Sequence, residues 1–138
     1  MALQKGTKIY SIAKFKCPQC QEGDFFLSHP YDLKNAGKLH ENCSECGLKY
    51  AKEPGFYFGA MYVSYAFGVA IFVATIVVYY LIYRSIDVIP LLVTMGILSI
   101  LTAPFNYALS KIIWANLFIS YRPNAKVDFK HRTAEAVK

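Results

Sequence analysis

Apolar residues gather in two long runs that begin after residue 55 of this chain. Residues 56–83 (FYFGAMYVSYAFGVAIFVATIVVYYLIY) make 28 consecutive positions without a charge, and residues 88–110 make a further 23. About 20 apolar residues in a helix suffice to cross the hydrocarbon core of a bilayer, so each run predicts a transmembrane helix. The excess length of the first predicts tilt, or aromatic ends resting at the membrane surface. Phe56, Tyr57 and Phe58 at one end and Tyr79, Tyr80 and Tyr83 at the other suit such a belt. Only residues 84–87 separate the runs, and so short a connection forces an antiparallel hairpin with both chain ends on one side.

The second run carries Pro90 near its start and Pro104 deeper in. Pro104 removes the hydrogen bond to the carbonyl of Ile100 and predicts a kink, with Thr102 or Asn106 placed to satisfy the freed group. Asn106 otherwise reads as polar glue between helices rather than as a transport residue. Apolar character continues beyond Ser110 as IIWANLFISY. One helix from 88 to 121 would reach about 50 Å, too long for a single crossing. A bend is therefore expected, with residues 111–122 as an interfacial helix anchored by Trp114 and Tyr121. The competing reading shifts the register toward the C-terminus and lets Lys111 snorkel. Pro123 ends the helix, and 123–138 reads as a loosely ordered basic tail. Small residues recur every four positions in the first run, at Ala66, Ala70 and Ala74 and at Ala60, Ser64 and Gly68. Such faces let helices approach closely in lipid; a homodimer or protein partner is favoured slightly over packing within the chain.

Composition strengthens the membrane reading. Hydrophobic residues are 55% of the chain and charged ones 17%, against ~25% charged in ordinary soluble domains. Eight Lys precede the first run, six Lys and Arg lie from residue 111 onward, and the connecting turn holds only Arg84. That asymmetry predicts both termini in the cytosol. The first apolar stretch lies too far from the start for a signal peptide of ~15–30 residues, so the head is expected to stay where it is made. The net charge of +6 raises a nucleic-acid partner, but no Arg-rich stripe with a recognition-helix pattern accompanies it; the lipid bilayer is the expected partner of the basic residues.

Candidate chemistry sits in the polar head, as Cys17 and Cys20 and, after 22 intervening residues, Cys43 and Cys46. Two CxxC units at this separation predict a small β zinc ribbon over residues 14–52, each tight knuckle aiming two thiolates at one ion. Gly23 and Gly47 suit turns that need unusual φ, and residues 23–27 and 48–50 read as short strands. Disulfides are disfavoured in a reducing cytosol, and a thioredoxin-like site lacks its βαβ context. An iron–sulfur cluster remains open. Four cysteines close the shell, which points to structural Zn2+, one per chain, rather than to a catalytic ion with an open position. His29 and His40 would be surplus ligands; His40 is expected to be a loop residue or to orient the second knuckle, and His131 to be solvated. Glu22, Asp24, Asp32, Glu41, Glu45 and Glu53 pair with no visible nucleophile or base, so no catalytic residue is assigned.

The fold class expected is thus a mainly α membrane protein, a two-helix transmembrane hairpin over residues 55–110 (helices about 56–83 and 88–110) behind a zinc ribbon, with a 1–13 N-terminal tail. Taken together, KCPQCQEGDFF (16–26), HENCSECGLKY (40–50) and EPGFYFGAMYVSYA (53–66) resemble the DUF983 family of bacterial membrane-anchored zinc-ribbon proteins, in a Bacteroidetes-like form, over nearly residues 10–120. The resemblance implies a shared architecture in the bacterial inner membrane and no assigned reaction; an association of some relatives with cytochrome oxidase assembly genes hints at membrane-complex biogenesis. The expected role is non-enzymatic, as an interaction or assembly module on the cytosolic face. The alternative is a metal-handling or redox protein that uses the four cysteines.

Overall fold

A computed structural model describes residues 5–32, 34, 35 and 37–136. The first four residues of the expected N-terminal tail and the last two of the basic tail lie outside them. Among the described residues four helices follow one another: α1 (Lys8–Lys14), α2 (Phe58–Tyr83), α3 (Val88–Phe118) and α4 (Ala125–Ala136). Glu53, Pro54 and Gly55 turn the chain into α2, Gly55 at φ 85°, where its carbonyl accepts from the Phe58 N–H at 2.9 Å. Arg84 caps α2 in the left-handed region, its N–H donating to Tyr80 O. Pro90 falls in the first turn of α3, where a missing N–H costs nothing.

The long helices α2 and α3 pack together as a hairpin. Both are long and apolar enough to cross a membrane, and in the most apolar stretch of each only 6% is buried within the chain. The core helix of a soluble protein would be mostly buried. Asn106 joins the pair by donating to Ser64 O at 3.2 Å. Thr102 donates to Leu98 O, so neither side chain expected to relieve Pro104 bonds Ile100 O. Ala60 is buried, whereas Ala66, Ala70 and Ala74 are exposed along α2 and find no partner helix among the described residues.

The break expected at residue 110 is absent: α3 continues as one helix to Phe118, about 46 Å in all. Its last turns do not lie along a surface. Ala108, Ile112 and Ala115 are fully buried, and Ile119 nearly so, against Phe25, Phe26, Tyr50 and the cysteines. The apolar residues that suggested an interfacial helix are core residues, because the cysteine module sits on them. Trp114 likewise fastens protein to protein. Its Nε1 donates to Phe56 O at 2.8 Å, and its ring occupies the space where a Cβ on Gly59 would stand.

Both ends of the chain also differ from expectation. Part of the 1–13 tail folds as α1, too short to stand alone, and it packs on α3. There Asn116 donates to the buried Ser11 Oγ at 3.1 Å. The basic tail folds as α4 and docks on the cysteine module: Phe129 rests over Gly47, and Lys126 pairs with Glu22 at 2.8 Å and Glu45 at 2.6 Å. No strand is present among the described residues. Three isolated antiparallel bridges, Lys16 with Asp24, Phe26 with Leu39 and Asn42 with Lys49, stand where the β ribbon was expected. Each pairing extends a single step before the chain turns off, and packed rings replace a ladder, Phe25 meeting Phe26 at 5.0 Å and Tyr50 at 4.7 Å between centroids.

Two outcomes follow. Truncating Ile112 to Ala removes apolar volume from the fully buried seam and is expected to weaken docking of the head by about 2–5 kcal/mol, read as faster hydrogen exchange in residues 17–50 with the hairpin unchanged. The pairs with Lys126 and then Lys5 hold the Glu22 carboxyl below its ordinary range. A carboxyl lowered by folding stabilises above its unfolded pKa, about 4.3, and that contribution is lost as pH falls through the lower folded value. Exchange in α4 should therefore rise below about pH 4 and also in high salt, because these charges are exposed; Lys126→Met should abolish most of both responses.

Candidate metal centre

Each CxxC unit folds into a tight knuckle closed by backbone. Gln21 N–H donates to Cys17 O at 2.9 Å, and Gly47 N–H donates to Cys43 O at 2.9 Å. The two knuckles are near copies with one difference. Cys17 N–H donates to Gly23 O, but Cys43 N–H donates to Leu48 O, so the first loop holds one more residue. Gly47 takes φ 66° as expected of a knuckle glycine, but the matching position in the first knuckle is Gln21, at φ 58°. Gly23 serves a different purpose from the one its spacing suggested. A Cβ there would collide with Cys43 Sγ, so Gly23 is the space through which the knuckles meet.

All four cysteines come together. Their Sγ atoms lie within 4.8 Å of one another and all four residues are buried, with Cys17 to Cys46 at 3.8 Å and Cys20 to Cys43 at 3.6 Å. A disulfide would need about 2.05 Å. Four thiols this close oppose one another. Hydrogen bonding from Cys17 draws the Cys43 and Cys20 thiols below their ordinary range, while bonding with Cys20 pushes Cys17 up and bonding with Cys17 pushes Cys46 up. Four bare thiolates cannot share this space, and a cation resolves the conflict. The group could hold a metal ion.

The surroundings lock the cluster in place. Tyr50, fully buried, donates to Asp24 O at 2.9 Å, and Tyr57 donates to Tyr50 O at 3.0 Å; burial pushes the Tyr50 hydroxyl pKa upward. Gln21, buried, accepts from Gly6 N–H at 2.7 Å and donates to Thr7 O at 2.8 Å. Gln19 Oε1 is placed 3.8 Å from Cys46 Sγ, and Arg122 N–H donates to Gln19 O. Neither glutamine was visible as a supporting residue; their only signal was a position inside or beside a CxxC. His29 stacks on Tyr31 away from the sulfurs. His40 contributes its backbone N–H to Phe25 O at 3.3 Å, and among the described residues its side chain bonds nothing on the second knuckle. His131 is exposed on α4. Glu22, Asp24 and Glu45 form surface ion pairs with lysines.

The family described as "Protein of unknown function (DUF983)" matches residues 34–119. The chain belongs to this family. In this DUF983 protein the matched span takes in Cys43, Cys46, α2 and all but the entry of the polar head's second half, and stops at the end of α3. It is narrower than the resemblance read from the sequence and leaves out Cys17 and Cys20. No curated protein and no solved structure matches the chain.

Gly23→Ala should reduce metal retention sharply, since overpacking costs on the order of 1–3 kcal/mol at the point where the knuckles meet. Gln21→Gly should retain metal, because glycine accepts the same φ, while freeing residues 6–7. Elemental analysis after dialysis against a chelator separates the two outcomes.

Proposed function

We propose that this protein is a zinc-stabilised module of the bacterial inner membrane, spanning the bilayer with α2 and α3 and keeping both termini in the cytosol. Its role is non-enzymatic, the recruitment or assembly of another protein at the membrane surface. The observation that carries the metal assignment is the separation of the sulfurs. Zinc–thiolate bonds of about 2.3 Å in a tetrahedron require sulfurs about 3.8 Å apart, which agrees with 3.8 Å and 3.6 Å. A multi-iron cluster must seat several irons and sulfides between the same four thiolates, and sulfurs within 4.8 Å leave no such room. Four protein ligands fill the coordination sphere of zinc, as in structural rather than catalytic sites, and no histidine or carboxylate joins the group among the described residues.

The spanning assignment rests on the exposed apolar flanks of α2 and α3 and on the Lys and Arg bias of the two chain ends. The exposed ladder of Ala66, Ala70 and Ala74 supports close approach of a second helix, supplied by a second copy or by the protein recruited.

Metal analysis of full-length protein, joined to crosslinking and capture against a Cys43→Ser variant, tests this reading. One zinc per chain, a colourless sample, and a partner captured by the native protein but lost in the variant are expected. Visible absorption, or metal that leaves readily, would transfer support to a metal-handling or redox role. Protease should reach α4 in inverted membrane vesicles and not in intact spheroplasts; the reverse pattern would overturn the orientation.

A further inference from the structure

A cavity lies beside the hairpin, away from the cysteines. It holds about 660 Å³ between the chain entering α2 and the Tyr107–Lys111 part of α3, within the size range of sites for small organic ligands. Its walls are mainly aromatic and aliphatic. Phe58, Met61 and Tyr65 line it and are also exposed, at 72%, 64% and 75%. Their spacing puts them on one face of α2.

Among the described residues, two charged ones line this cavity, Lys111 and Glu53. Lys111 is the sole charge in α3. Its ammonium sits 4.2 Å from the centroid of the Tyr107 ring and 5.8 Å from that of Tyr57, and it donates to Gly37 O at 2.9 Å. A half-buried ammonium has three donors, and two remain. Among the described residues neither Lys111 nor Glu53 belongs to an ion pair, with each other or with any third group. Two opposite charges therefore line one apolar cavity without neutralising each other.

We infer that this cavity binds one phospholipid with a zwitterionic, primary-amine headgroup, of the phosphatidylethanolamine type, its phosphate on Lys111, its amine on Glu53 and an acyl chain along Phe58, Met61 and Tyr65. Charge selects the class. A phosphate accepts charge-assisted hydrogen bonds from a lysine, but Glu53 repels a headgroup that is negative overall. A primary ammonium donates to that carboxylate, which a quaternary choline cannot do. The inference rests on the reading of α2 and α3 as membrane spans, which puts this cavity at headgroup depth, where the apolar helices meet the polar module.

The test uses the full-length protein in nanodiscs of equal parts phosphatidylethanolamine, phosphatidylglycerol and phosphatidylcholine, followed by native mass spectrometry. One phosphatidylethanolamine per chain should be retained, with a preference of roughly fivefold over either competitor, the size expected of a partly exposed charge pair. Lys111→Gln should abolish retention and Lys111→Arg restore it. Glu53→Gln, at an exposed site outside the packed core, should keep the fold and shift the preference toward phosphatidylglycerol. Equal retention of the three lipids, a preference unchanged in Glu53→Gln, or a second protein copy in place of lipid would overturn the inference. Alkaline carbonate extraction separates the two levels of failure. A chain that resists extraction but shows no headgroup preference loses the lipid site alone; a chain released by carbonate loses the spanning reading and the site with it.

Discussion

The last three turns of α3 are where the two halves of the protein become one. Ala108 and Ala115 are small enough to let the cysteine module approach the helix backbone, and Ile112 and Ile119 fill the gap between them. The other contacts extend this seam. Asn116 reaches α1, Trp114 fastens the entry to α2, and Lys111 ties the helix to the loop at Gly37. Without the seam, the head would be tethered through residues 51–57 and through the tail docked on it, and a module this small has little apolar surface with which to hold its shape.

That seam explains which parts of the architecture were legible in the sequence. The two long helices were, because an uncharged run longer than 20 residues has few other uses. The four sulfurs were, because CxxC spacing encodes a local turn. The route of residues 111–119 was not: an apolar strip looks the same whether a bilayer or another part of the chain covers it, and only the tertiary partner decides. The same limit hid α4, whose polar sequence gives no sign that Phe129 covers Gly47. At the knuckles the spacing was legible, but the role of Gly23 was not. Its need for space arises from Cys43, twenty residues away along the chain, and the left-handed position went to Gln21 instead.

The cysteine site is held from three directions by groups of different kinds. Aromatic rings support it from within, Gln21 ties it to residues 6 and 7, and Lys126 bridges Glu22 and Glu45, one carboxylate beside each knuckle. The last of these is exposed, and exposed ion pairs contribute little to stability. Its effect is to set the position of α4 across both knuckles, so that the tail depends on the fold of the cysteine site more than the site depends on the tail.

The seam also fixes an order of events. Synthesis proceeds from the N-terminus, so both cysteine pairs leave the ribosome before the end of α3 on which they pack exists. The head must wait, with Phe25, Phe26 and Tyr50 incompletely covered, until the whole hairpin and the end of α3 have followed. Contacts between positions as distant as Ser11 and Asn116 form late for the same reason, since long loops close slowly. Maturation of this head is thereby timed by completion of the helices behind it, and a ribosome that stalls within α3 leaves a nascent chain with an unfinished, adhesive head.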